Sequence, residues 1–411
     1  MAMQKQATCI VTVFAVMSAM GCGRTDWRTT PLSPQPLSSP SSGNSLSPQM
    51  TTSSRGLILS WLERTGATTT LHFAERSPSG WTAPVMVTSG KLVTNYADVP
   101  SVLRMSDGTL AAHWTKVTDP RREGTDLLLS FSKDDGRTWS PPVSPHHDGT
   151  PTQHAFATLF EFPTKRLGVI WLDARAYDLD QTDDLSLRYA AFDTSWQQTA
   201  DQPIDGRVCE CCPTSAVVTA DGVLTAYRNR SDDEVRNIYT SRLESGTWTQ
   251  GQPVHDDGWK IEGCPVNGPM LSARGRETVV AWFTSKNDVG QAYAAFSSDA
   301  GRSWGDPIRL DDAGSLGRVG VVLLDDGSAV ASWIEATDNH AQFRIRRLDR
   351  SGTRSPAVAV TDVPMSVTSA YPRMARFGDE LVFAWTERAS SKEDNAESAQ
   401  RVGLAVARVP R

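Results

Sequence analysis

Seven copies of one four-stranded antiparallel module, closed into an all-β propeller, is the architecture this chain encodes. An aromatic residue recurs at Trp61, Trp114, Trp171, Tyr227, Trp282, Trp333 and Trp385, at gaps of 53, 57, 56, 55, 51 and 52 residues. That period is too long for helical solenoid units and matches a propeller blade. Roughly 13 to 15 residues before the aromatic stands a proline in five modules, at Pro48, Pro100, Pro213, Pro269 and Pro372. Proline suits the first residue of an inner strand, where no ladder donor is needed. Between the two lies a turn, often Asp-Gly, as at Asp107-Gly108, Asp221-Gly222 and Asp326-Gly327, which is a hairpin signal.

Runs into the aromatic, such as Thr278 to Trp282 and Leu381 to Trp385, are apolar on both faces, as strands sandwiched between neighbouring blades must be. Modules therefore begin near residues 46, 91, 150, 207, 261, 315 and 366. The last shows three clear strands, so residues before 46 are expected to supply its fourth and remove the exposed edges. A six-bladed ring is the alternative, if the first and last modules together complete one blade.

The net charge of −6, with both signs mixed along the chain and no basic stripe, argues against a nucleic-acid partner. Lys5 followed by an apolar stretch from Ala7 to Met20 reads as an export signal over residues 1–22, too short to span a bilayer as a helix. Ala19-Met20-Gly21-Cys22 resembles the lipobox of bacterial lipoproteins, which implies lipidation of Cys22 after cleavage. Gly23 behind it resembles outer-membrane sorting, so the expected location is the cell envelope, with periplasmic or secreted release as the alternative. Residues 23–45, dense in Ser, Pro, Thr and Gly, read as a tether, whose end could pair as an edge strand.

A second tryptophan register follows the third strand, and two copies carry a tight pattern. Ser132, Asp134, Gly136 and Trp139 match Ser297, Asp299, Gly301 and Trp304 in the form Ser-x-Asp-x-Gly-x-Thr/Ser-Trp. The Ser and Asp can bond the turn's own backbone, Gly supplies the unusual dihedral, and Trp packs beneath. This pattern resembles the Asp-box of the sialidase and BNR-repeat propellers and is structural, holding an outer hairpin.

Residues just before each inner strand come from different blades yet should meet at the channel mouth. That register gives Asp98, His154, Cys211, Cys212, Asn267, Arg318 and Tyr371, with Arg373 one step further. Together they make a site hypothesis. The sialidase resemblance implies a Tyr nucleophile, an Asp acid/base and an arginine clamp on a carboxylate. Tyr371 and Asp98 are the catalytic candidates on that basis; His154, Asn267, Arg318 and Arg373 are the ligand-binding ones. With no Glu clearly beside Tyr371, the favoured reading is a monomeric surface lipoprotein that binds a glycan, small molecule or peptide and touches the membrane through its lipid only. An exo-α-sialidase is the alternative.

Cys209, Cys211, Cys212 and Cys264 fall in two consecutive segments that lead into blades. In an exported chain a bridge between the segments is expected, Cys264 with Cys209 or Cys212. Thiolates with His154 or His255 in a zinc or copper site are the metal-binding alternative; no cofactor is otherwise expected. Charged residues just past the aromatic, including Glu63, Asp173, Arg228, Glu335 and Glu387, read as a solvated rim.

Overall fold

The computed structural model describes residues 26–119, 124–178, 184–338, 340–365, 371–388 and 400–409. The export signal and Cys22 lie outside them. Among the described residues no helix is long and apolar enough to cross a membrane.

Seven antiparallel sheets follow one another along the chain. Their inner strands are Asn44–Thr52, Ser101–Arg104, His154–Glu161, Ser215–Thr219, Met270–Arg274, Ser315–Leu323 and Arg373–Phe377, here numbered blades 1 to 7. Each repeating aromatic sits on the second strand of its blade and is at most 7% exposed. Blade 2 has three named strands; an isolated bridge from Leu129 to Val143 stands where its fourth would run. Gln35–Leu37 pairs with Gln400–Arg408 and completes blade 7, so the two ends of the chain close the ring. The Ser/Pro-rich stretch is thus not a tether throughout. A three-residue edge strand tolerates Pro36, and Leu37 packs among residues of blades 1 and 7.

The core lies between blades rather than at the centre. Blades 3 and 4 share Ile170, Leu187, Val223 and Tyr227; blades 5 and 6 share Val279, Ala281, Val321 and Trp333. Both faces of each second strand are covered, which is why these runs do not alternate. Small residues such as Ala190, Ala281, Ala294 and Ala331 let successive sheets approach. Each buried aromatic contributes on the order of 2–3 kcal/mol by leaving water.

The outer hairpins bond as their composition dictates. Ser132 Oγ donates to Asp134 Oδ1 (2.8 Å) and accepts the Gly136 amide (2.9 Å); Ser297, Asp299 and Gly301 repeat this at 2.7 and 3.0 Å. Gly136, at φ 86°, has no room for a side chain, because a Cβ would lie 2.8 Å from Phe73 of blade 1. Bonds from the backbone and hydroxyl of Thr138 lead in holding the Asp134 carboxyl down to about 2. For Asp299 burial pushes the other way, and bonds from Ser303 and Ser297 outweigh it, leaving it at about 2.

Candidate functional site: the channel mouth

Three inner strands begin with a bulge. Register shifts between Leu46 and Gln49, Ala155 and Thr158, and Gly317 and Gly320. At each stands a non-glycine residue in the left-handed region: Ser47 (φ 52°), Phe156 (59°) and Arg318 (57°). Such a conformation costs on the order of 1–3 kcal/mol unless its surroundings fix it. The neighbouring blade does so in every case. The Ser47 amide donates to Thr386 Oγ1 (3.1 Å), the Phe156 amide to Asp98 Oδ1 (2.9 Å) and the Arg318 amide to Asn267 Oδ1 (2.8 Å). Gly317 precedes Arg318 because a Cβ there would overlap Asn267 Oδ1.

Asp98 and Asn267 therefore act sideways, from one blade to the next. Burial pushes the Asp98 carboxyl up to about 6, against the pull of the Thr115 hydroxyl and the Phe156 amide. Tyr371 is 3% exposed; its hydroxyl donates to the Val266 carbonyl and accepts the Gly268 amide (3.2 Å). The Arg318 guanidinium lies 4.7 Å from the Tyr371 ring and 5.5 Å from that of Tyr96, which is half-buried, and donates to Val266 O. Arg373 lies 5.2 Å from the Tyr371 ring, and burial lowers its pKa to about 10.

Below Tyr371 the channel holds a cavity of about 210 Å³ bordered by the inner strands of all seven blades or the residues just before them. Of the residues expected to converge on it, Tyr371 and Arg373 border it, whereas Asp98, His154, Asn267 and Arg318 do not. Asp98 and Asn267 are drawn instead to the bulged strand of the next blade, whose place the register in sequence does not reveal. A larger, solvent-open groove of about 880 Å³ runs along the outer edges of blades 5 and 6, past Trp304, Arg309 and Arg354.

His154 belongs to a buried charge cluster. Its Nδ1 faces the carbonyls of Thr125 (3.1 Å) and Thr152 (3.2 Å), and its Nε2 faces Asp148 (3.1 Å). Both nitrogens thus meet oxygen acceptors. Arg175 grips Asp173 through two bonds of 2.7 Å, and the Trp171 indole donates to the same carboxylate (2.8 Å). Burial opposes ionisation of Asp173, but bonds from Arg175 and the charge of His154 outweigh it and lower its pKa. The His146 ring stacks on His154 at 3.6 Å, and burial, then the His154 charge, pushes its pKa down to about 4. Asp148, His154 and Asp173 have the spacing of metal ligands, yet Arg175 and Trp171 already occupy the Asp173 lone pairs.

The cysteines form two bridges, Cys209–Cys212 and Cys211–Cys264. The expected link between the segments exists, but Cys211 makes it, not Cys209 or Cys212. Those two are 1% and 2% exposed and close a local turn, leaving Cys211 to reach Cys264. His154 is engaged by Asp148, and His255 by Asp257 (2.9 Å), so neither imidazole is held as a partner for sulfur. Beside them Arg230 pairs with Glu210 (2.5 Å), Glu234 (2.8 Å) and Asp184 (3.2 Å), and Arg236 with Glu210 (3.0 Å) and Glu234 (2.7 Å).

Three of the charged residues past the aromatics, Asp173, Arg228 and Glu335, are buried rather than part of a solvated rim, whereas Glu63 and Glu387 stay partly exposed. Arg228 is 1% exposed, donating to the carbonyls of Asn267 (2.9 Å), Arg236 (2.5 Å) and Phe283 (2.7 Å). Asp173, Glu335 and Glu387 each accept the indole N–H two residues earlier, from Trp171, Trp333 and Trp385. Residues i and i+2 of a strand share a face, so Trp-x-Asp/Glu was a readable signal that charge alone concealed.

No protein-family model and no curated protein sequence matches this chain. Solved structures do. A PL25 ulvan lyase bound to -[GlcA(1-4)Rha3S]- superposes with a TM-score of 0.55 at 11% identity, over 88% of this chain and 92% of that one. A protein of unknown function from Dyadobacter fermentans gives 0.53 at 12% identity, over 89% and 95%. The NanB sialidase from Streptococcus pneumoniae gives 0.45 at 8% identity, over 85% and 82%. At these identities the likeness is one of fold, a propeller similar to that of the ulvan lyase.

Proposed function

We propose that this protein is an exported propeller that binds a glycan at its channel mouth without cleaving it, anchored to the envelope through lipidated Cys22. The supporting observation is that the two groups suited to hydrolysis are already committed. The Tyr371 hydroxyl bonds the backbone of Val266 and Gly268, and Asp98 bonds the Phe156 amide. The half-buried Tyr96 ring, backed by Arg318, offers a flat surface with a cation behind it. Fold likeness to a lyase bound to a glucuronate-containing sugar agrees with a carbohydrate ligand.

The test combines a glycan-array binding screen with turnover assays on a fluorogenic sialoside and on uronate polysaccharides. Binding weakened by Tyr96→Ala, with no turnover, is expected. Turnover abolished by Tyr371→Phe would establish the hydrolase alternative instead. Loss of radiolabelled lipid incorporation in Cys22→Ser tests the anchor.

A further inference from the structure

A buried cation borders the channel cavity without a partner. Arg373 is 7% exposed, and its Nε is buried with no hydrogen-bond partner. Among the described residues no hydrogen bond or ion pair reaches it, and its one neighbour of note is the face of Tyr371. Among the described residues nothing around it supplies a countercharge, and none that borders the cavity is a carboxylate. Of the hydroxyls that border it, Thr51 donates to Val102 O (2.6 Å), Thr158 to Thr214 O (3.0 Å) and Thr214 to Phe156 O (3.3 Å), and none of these bonds goes to Arg373.

A guanidinium withdrawn from water and left unpaired is costly, and proteins seldom retain one. Its contrast with Arg228 is direct: that residue, buried still more deeply, donates to three carbonyls. We propose that the channel cavity is a binding site for a small oxyanion, an inorganic anion or the carboxylate of a short organic acid, held by Arg373. The guanidinium fork matches two oxygens of such a group. A cavity of about 210 Å³ has room for it with a few waters, at roughly 30 Å³ per water. This site lies beneath Tyr371 and is independent of any glycan on the outer face.

The experiment is a thermal-shift titration of the purified full chain with phosphate, sulfate and acetate, at constant ionic strength set with chloride. A saturable rise in Tm with at least one of them, absent in Arg373→Met, is expected. Phosphate or sulfate acting alone identifies an inorganic anion; acetate acting alone identifies a carboxylate. In oxyanion-free buffer Arg373→Met should melt at or above the wild-type Tm, because an uncompensated buried charge has been removed. Arg373→Lys keeps the charge but not the fork and should bind about tenfold more weakly by calorimetry. A wild-type Tm indifferent to all three anions overturns the proposal, as does an undiminished response in Arg373→Met. Should that variant not fold, equal affinities of Arg373→Lys and wild type overturn it instead.

Discussion

The outer hairpins and the channel lip solve one problem by two routes. In both, a side-chain oxygen holds a backbone amide at a turn with positive φ: Ser132 and Ser297 hold Gly136 and Gly301, while Asp98 and Asn267 hold Phe156 and Arg318. The hairpin partners are four residues apart; the lip partners are 58 and 51 apart. A hairpin therefore closes itself and can fail alone, whereas a lip bond joins two blades. Residues that look like a site at the lip are in part the fastening of the ring.

The sharpest break of this contrast is at the cysteines. Removing the bridge between segments with Cys211→Ser/Cys264→Ser releases a loop of more than 50 residues, and chain entropy puts the loss at about 4 kcal/mol. Cys209→Ser/Cys212→Ser opens only a short loop and should cost about 2 kcal/mol by the same reasoning. Denaturant unfolding of the two double variants checks the order.

Next in size is a pH effect. Burial raises the folded pKa of Asp98 to about 6 from its ordinary 3.8, so between these values the native state holds the proton more firmly than the unfolded chain. Stability from this group is thus lost as pH rises from about 4 to 6, by about 3 kcal/mol in full. Asp98→Asn keeps an acceptor for the Phe156 amide and should flatten this part of the pH profile. An unchanged slope in that variant would remove Asp98 as its source.

Asn267→Ala leaves the Arg318 amide unheld and should cost about 1–3 kcal/mol. Ser132→Ala strips one bond from a self-contained hairpin and should cost about 1 kcal/mol. Combined with Ser297→Ala the losses should add, since the two hairpins share no partner. Asp98→Ala with Asn267→Ala should depart from additivity if the lip responds as a unit.

The same division explains what the sequence disclosed. The aromatic period, the Asp-Gly turns and the Ser-x-Asp-x-Gly pattern are local, and each fixes its own strand or turn. The lip register singled out Asp98 and Asn267, as catalytic and ligand-binding candidates, but the amides they accept lie a blade away and leave no local trace. The three strands legible in the last module pointed to a fourth from before residue 46, and Gln35–Leu37 supplies it. Composition hid one further feature: charge at Asp173, Arg228 and Glu335 masked burial that only their partners make tolerable. The bridge from Cys211 depends on which sulfurs the turn at Cys209–Cys212 consumes, a matter of packing rather than spacing.

Gln35 sits opposite Val406 and Leu37 opposite Leu404. The earliest-made strand of the toroid accordingly waits for the latest-made one, and a nascent chain must carry an open ring, its seventh sheet incomplete, until its carboxyl end is free. Deleting the last dozen residues would spare nearly every blade yet unzip the clasp on which all of them lean.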